Sequence, residues 1–155
     1  MNNAWLVRPR PHRILRINDF LCDGFVATGW PGLGNLSGKS CGDIRHILSG
    51  TSHCSNRTHL GFVNAALDII VNRMETGDLV VVPNGKDIFF GKVCSDYIFE
   101  PAADTDQTGY AHRRKVEWLQ KRRRDDLTMD LRRSLVSLSV ANLTHHFDEI
   151  HRLAH

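Results

Sequence analysis

A chain of 155 residues, 41% apolar and 24% charged, carries enough apolar content for a core without disulfide staples. It has no run of about 18 apolar residues, which excludes a transmembrane helix, and its opening Met-Asn-Asn-Ala-Trp-Leu-Val-Arg-Pro-Arg lacks a secretory apolar region, so one cytoplasmic domain over residues 1–155 is expected. The formal charge of +3 is unevenly spread: Arg113, Arg114, Lys115, Lys121, Arg122, Arg123 and Arg124 crowd one stretch against Glu117 alone, the footprint of a polyanion partner unless it is a solvated face neutralised by Asp125 and Asp126.

Residues 4–8 are a short apolar run carrying Trp5 and read as a first strand. Pro9 and Pro11 end it and force an extended loop decorated by Arg8, Arg10, His12 and Arg13. Ile14, Ile17 and Leu21 recur at helical spacing beside Phe20, which predicts a helix over 13–22 stopped by Asp23-Gly24. A second strand over 25–30 runs into Gly29-Trp30-Pro31-Gly32-Leu33-Gly34-Asn35, dense in turn formers. Glycines there let backbone or ligand approach, and the Trp30 indole is either a cap on the core or a wall on which a planar ligand stacks. A helix is predicted over 40–48, then a polar loop over 49–57. Leu60, Val63, Leu67, Ile70, Val71 and Met74 keep the spacing of the strongest helix, with Thr58 as its cap; the stripe belongs to the core.

Leu79 to Val82 and Ile88 to Val93 flank Asn84-Gly85, a pair that tolerates positive φ in a tight turn, and form the clearest hairpin in the chain. Pro83 belongs where no ladder bond is needed, and Gly91 marks a bulge or a close backbone approach. A curved hairpin of this kind suits a small barrel or a strongly twisted sheet. On a strand over 112–118, Val116 and Trp118 share a face with His112 and Arg114, a row leading from the core to a polar mouth. Leu127, Leu131, Leu135 and Leu138 continue a helical period, and Phe147, Ile150 and Leu153 mark a last helix. Residues 125–155 therefore read as C-terminal helices packed on the barrel.

The order of these signals resembles the N-terminal module of Mrr-type restriction-system proteins. It is carried by Trp5-Leu6-Val7-Arg8, the Gly29-Trp30 exit, the long helix into Gly77-Asp78-Leu79-Val80-Val81-Val82-Pro83, Gly91-Lys92-Val93, Asp96-Tyr97 and His112-x-Arg114-x-Val116-Glu117-Trp118. The helix, Gly-Asp, strand, turn and strand portion is also similar to EVE domains, which group with YTH, ASCH and PUA domains. The resemblance implies an α+β, PUA-like small twisted barrel flanked by helices. It also implies recognition of a modified base, most often in methylated DNA, by flipping it into an aromatic pocket in the service of restriction or phage defence, the module acting alone or with a separate nuclease chain as partner.

The residues supply a mechanism beside that resemblance. Unstacking a base costs a few kcal/mol, and an aromatic wall returns about 1–3 kcal/mol per stacked base. Trp30 and then Tyr97 are the stacking candidates; Trp5 and Trp118 belong to the core. Asn35, Ser37, Asp96 and His112 are the polar groups for the base edge. Arg8, Arg10 and Arg13, with Arg113, Arg114, Lys115, Lys121, Arg122, Arg123 and Arg124, are the candidates for the phosphate backbone. An RNA-binding accessory protein on the same barrel, or a protein–protein adaptor in a defence locus, is the alternative.

No enzyme is expected. The chain has no Gly-x-Ser-x-Gly elbow, no P-loop and no dinucleotide fingerprint, and Glu117 is followed by Trp-Leu where a restriction-type nuclease wants a Glu-x-Lys pair. No cofactor or metal is expected either: Cys41, Cys54, His53 and His59 match no zinc spacing, and His145, His146, His151 and His155 read as surface residues. The four scattered cysteines, Cys22, Cys41, Cys54 and Cys94, read as reduced thiols.

Overall fold

The computed structural model describes residues 2–137 and 139–155. Among these residues seven strands form one curled, half-barrel mixed sheet with several helices around it, an α+β architecture. In chain order the elements are β1 (Ala4–Val7), α1 (Ile17–Asp23), β2 (Phe25–Thr28), α2 (Cys41–Ser49), α3 (Arg57–Asp68), β3 (Leu79–Asn84), β4 (Asp87–Val93), β5 (Ile98–Phe99), β6 (His112–Arg123), α4 (Met129–Ser134), β7 (Val140–Asn142) and α5 (Phe147–Ala154). Strand order is β2-β6-β4-β3-β1-β7, with β5 beside β6. β1 and β3 run parallel; the other pairs are antiparallel.

β6 sets the curl. Its first residues, His112 to Lys115, pair with β2, and the rest, Val116 to Arg123, pair with β4. The β4–β6 register slips between Phe90 and Gly91, because Gly91 faces Trp118 while Phe90 faces Gln120, leaving Leu119 as an extra residue. A Cβ on Gly91 would lie 2.3 Å from Val116 Cγ1 and 2.9 Å from the Trp118 ring, so the bend needs a residue without a side chain.

The two faces of the sheet are buried separately, as strand alternation dictates. Trp5, Val7, Val80, Val82, Val93 and Val116 turn inward onto Phe20, Ala66, Ile70 and Met74. Ala4, Leu6, Leu79, Val81, Ile88 and Phe90 turn outward onto Leu131, Ile150 and Ala154 of α4 and α5. A third cluster, including Leu36, Ile44, Leu48, Val63 and Leu67, joins α2 to α3 and to the turn after β2. Trp5 is 1% exposed, and its indole N–H donates to Asp78 Oδ2 at 2.9 Å. Asp78 also accepts from the backbone N–H groups of Asn3 and Glu75, so this buried carboxylate ties β1 to the entry of β3.

Several sequence expectations shift. The hairpin turn is centred on Gly85-Lys86, since Asn84 and Asp87 already pair, and the positive φ falls on Gly85. Pro83 faces Ile88 beyond Val81, where the pairing of β1 with β3 ends. Asn56, not Thr58, caps α3, its side chain accepting from the His59 N–H. α3 then widens into a π-helical turn over Ile69–Arg73. The helix expected over 13–22 begins only at Ile17, after a 3-10 turn over Pro11–Arg13. Residues 125–155 are not helices alone: β7 lies among them and pairs with β1. Leu138, expected on a helical stripe, lies outside the described residues.

Candidate functional site

A cleft of about 550 Å³ opens where β1 and β2 leave the sheet. Arg10, His12 and Arg13 of the proline-punctuated loop form one wall, Gly29 and Trp30 the second, and Ser52, His53, His59 and Phe62 the third. None of the described residues lining it is acidic. Among the described residues only three other than glycine have positive φ: His12 at 56°, Arg13 at 64° and Trp30 at 68°. All three line this cleft. For a bulky aromatic such as Trp30 that conformation is an outlier, and strain of this kind collects at functional sites.

The loop between β5 and β6 holds the strained walls in place. The Asp104 carboxylate accepts from the N–H groups of Gly32 (2.8 Å) and Gly34 (3.2 Å), gripping the turn that presents Trp30. His12 Nε2 donates to the Asp106 carbonyl at 2.7 Å, and its ring lies on Gly109, where a Cβ would come within 2.5 Å of it. Arg16 donates to the Thr108 carbonyl and stacks over Tyr110 at 4.0 Å. On the third wall His53 Nε2 donates to the Pro31 carbonyl at 2.6 Å, and His59 Nδ1 accepts from the Ser55 N–H.

The expected base-pocket residues do not meet in one hollow. Trp30 lines the first cleft, whereas Ser37, Asp96 and Tyr97 line a second one of about 440 Å³. The two clefts take opposite ends of the turn over 29–38. Asn35 is exposed, and its side chain accepts from the Ser37 N–H, closing a local turn. His112 is not at a mouth: it is 1% exposed, its ring stacked on Tyr97 (5.9 Å) and tilted against Phe99 (5.8 Å). The Tyr97 hydroxyl, which accepts from the Leu36 N–H, shares a hydrogen bond of 2.6 Å with His112 Nδ1. His112 Nε2 is buried without a partner among the described residues. Burial pushes the His112 imidazole down to about 4 and the Tyr97 phenol up to about 12, so both are neutral near pH 7.

The arginines divide between surface and interior. Arg10 and Arg13 are exposed at the first cleft, and Lys115, Lys121 and Arg123 are exposed along β6. Arg114, expected to meet a phosphate backbone, is 4% exposed and donates to the carbonyls of Ile70, Val71 and Ser95. The π-helical turn frees those first two acceptors, and the guanidinium satisfies them. Burial lowers its pKa, against the pull of Asp96 and Asp78. Arg8 donates to the carbonyls of Leu135 and Ser137. Arg122 donates to Leu153 and Arg124 to Gly85. Arg113 lies over Phe25 and Tyr110 and donates to the Tyr110 carbonyl. Half of the basic cluster therefore braces the fold.

Sequence reasoning did not single out Phe62 or Asp104, and it weighed His53 and His59 only as zinc ligands. The one local signal was Phe62, an aromatic on the polar side of the α3 stripe, where it stays exposed. Among the described residues no group of three or more His, Cys, Asp or Glu side chains is assembled for a metal ion. Among them, too, no helix is long and apolar enough to cross a membrane.

No curated protein matches the chain. Two solved structures are similar to it along nearly their whole length. Protein Atu2648 from Agrobacterium tumefaciens, a crystal structure, is 18% identical with a TM-score of 0.46, covering 99% of this chain and 93% of that one. Rpa0253 from Rhodopseudomonas palustris, an NMR structure, is 14% identical with a TM-score of 0.47, covering 98% of this chain and 92% of that one. A family model matches residues 13–144, and the chain belongs to that family, the domain of unknown function DUF8426.

Proposed function

We propose that the protein is a nucleic-acid-binding module on a PUA-like half-barrel, and that it receives one modified base, unstacked from its strand, in the cleft of Trp30. The observation that carries this reading is the concentration of backbone strain there: His12, Arg13 and Trp30 all line one cleft whose walls are cationic and aromatic and, among the described residues, carry no carboxylate. Strain of about 1–3 kcal/mol per residue is kept only where the surroundings enforce it. Trp30 offers a flat surface for the base, and Arg10 and Arg13 offer charge to the flanking phosphates. The resemblance to Mrr-type modules supports methylated DNA as the ligand and a separate nuclease chain as the partner; the barrel serves as a reader and not as an enzyme.

The test is a binding panel at low salt. One duplex is compared unmodified and carrying 5-methylcytosine, 5-hydroxymethylcytosine or N6-methyladenine, alongside its RNA counterpart. A modified duplex binds best, Trp30→Ala weakens it by about tenfold or more, and Arg10→Ala with Arg13→Ala flattens the salt dependence by roughly two phosphates' worth. Absence of binding to every oligonucleotide overturns the reading. So does preference for RNA that is indifferent to Trp30→Ala.

A further inference from the structure

The second cleft has a different chemistry. Ser37 and Gly38 enter from one side, Val71 and Asn72 of the π-helical turn from another, and Glu75, Asp96, Tyr97 and Arg114 complete it. Arg114 is the unusual member: a guanidinium 4% exposed that forms no ion pair among the described residues. An arginine has five N–H donors. Three are taken by the carbonyls of Ile70, Val71 and Ser95, at 2.7, 3.1 and 3.2 Å. The Nε–H and one Nη2–H face the end of the π-helical turn, and one N–H on each terminal nitrogen is left over. A buried cation held by carbonyls alone is costly unless an acceptor completes its shell. The cleft also holds two exposed carboxylates, Asp96 and Glu75, so a simple anion is opposed there. The complementary ligand has paired acceptors on one edge, paired donors on another and a flat ring between.

We propose that this second cleft is a guanine site. The O6/N7 edge of guanine is the preferred partner of a guanidinium fork, and its N1–H and N2–H groups are donors that suit the Asp96 carboxylate. Tyr97, with His112 stacked on one face of its ring, supplies a rigid aromatic side to the cleft. The hydroxyl of Tyr97 is held by Leu36 and His112, which fixes the ring where it stands. The site stands on its own geometry and not on the reading of the Trp30 cleft. Its guanine comes either from a free nucleotide or from a single-stranded segment.

The experiment follows backbone amide shifts of the full chain by NMR, with guanosine, GMP, inosine, 7-deazaguanosine and adenosine as probes. A short single-stranded oligonucleotide carrying one guanine, and its adenine counterpart, are added in parallel. Guanosine and GMP shift the amides of Ser37, Gly38 and Tyr97. Inosine, lacking the N2 donors, and 7-deazaguanosine, lacking the N7 acceptor, each bind about tenfold more weakly. Asp96→Asn weakens guanosine and removes its advantage over inosine, while the exposed position leaves folding intact. Arg114 is spared because it also braces the π-helical turn. Guanosine binding is read without any modified base, so this result stands or falls apart from the modified-base panel. Binding only to the guanine oligonucleotide assigns the site to a strand; binding of free guanosine assigns it to a nucleotide. No shift with either, or equal shifts with adenosine, overturns the proposal.

Discussion

Removing the Asp104 carboxylate should release the turn that carries Trp30. Asp104→Ala deletes two charge-assisted hydrogen bonds, to the N–H groups of Gly32 at 2.8 Å and Gly34 at 3.2 Å. Hydrogen bonds to a charged group are worth about 1.5–3 kcal/mol each, and partial exposure of Asp104 puts this pair at the low end, about 3 kcal/mol in total. The left-handed backbone of Trp30 costs about 1–3 kcal/mol. The two quantities are comparable, so without the carboxylate the φ of 68° at Trp30 is left to the His53–Pro31 hydrogen bond and to the packing of its ring on the core. For a chain of this size each kcal/mol is about 2–4 °C in melting temperature, so Asp104→Ala lowers Tm by roughly 6–12 °C. Hydrogen exchange at the amides of Gly32 and Gly34 accelerates by about tenfold or more. A fluorine label on Trp30 reports a broadened or shifted resonance in the absence of any ligand. Asp104→Asn keeps one acceptor oxygen and lies between wild type and Ala. Unchanged exchange at Gly32 and Gly34, with an unchanged Trp30 signal, would refute the reasoning, because the turn would then be holding its own shape.

Gly91→Ala places a methyl group 2.3 Å from Val116 Cγ1 and 2.9 Å from the Trp118 ring. Overpacking of this kind costs about 1–3 kcal/mol, read as a thermal shift, and Val116→Ala in the same chain recovers part of it; a Gly91→Ala protein that melts with wild type defeats the account of the bulge. His112 gives a pH signature. Its folded value of about 4 lies below an ordinary histidine near 6.5, so the unfolded chain binds the extra proton as pH falls between those limits. Stability contributed by the neutral imidazole is therefore complete above about pH 6.5 and is lost towards pH 4, an order of 3 kcal/mol at most. Denaturant titrations across that window show this slope, and His112→Phe flattens it; equal slopes in both proteins show that other groups govern acid unfolding.

The parts of the fold legible in the sequence are those set by neighbours along the chain. The Leu79–Val93 hairpin, the α3 stripe as far as Leu67 and the row His112, Arg114, Val116 and Trp118 follow from periods of 2 and 3.6 and are present, while Ile70 and Val71 fall in the π-helical turn and Met74 lies beyond it. Gly91 was readable because a glycine inside a strand has few structural uses. What stayed hidden depends on partners far away. β7 is three residues long, and only pairing with β1 makes it a strand. The acceptors of Arg114 lie more than forty residues upstream, at Ile70 and Val71, so a run of basic residues read as surface turned out to hold an internal brace. The same limit applies at the site. Trp30 and Tyr97 were both readable as aromatic walls, but only the path of the turn over 29–38 assigns them to separate clefts. Asp104 carried no local mark at all, since its value lies in two glycine amides some seventy residues earlier.

The position of β1 also bears on how the protein is made. Val7 pairs with Val140 on one side, while Leu6 pairs with Val81 on the other. At the usual pace of translation, about 5–20 residues per second, residues 4–7 wait on the order of ten seconds for their second neighbour to be synthesised. Until then one side of β1 is an open strand edge, the kind that recruits other chains. Nascent protein is most exposed to mispairing in that interval, and a chaperone that shields the edge during synthesis should raise the soluble yield more than one added after release.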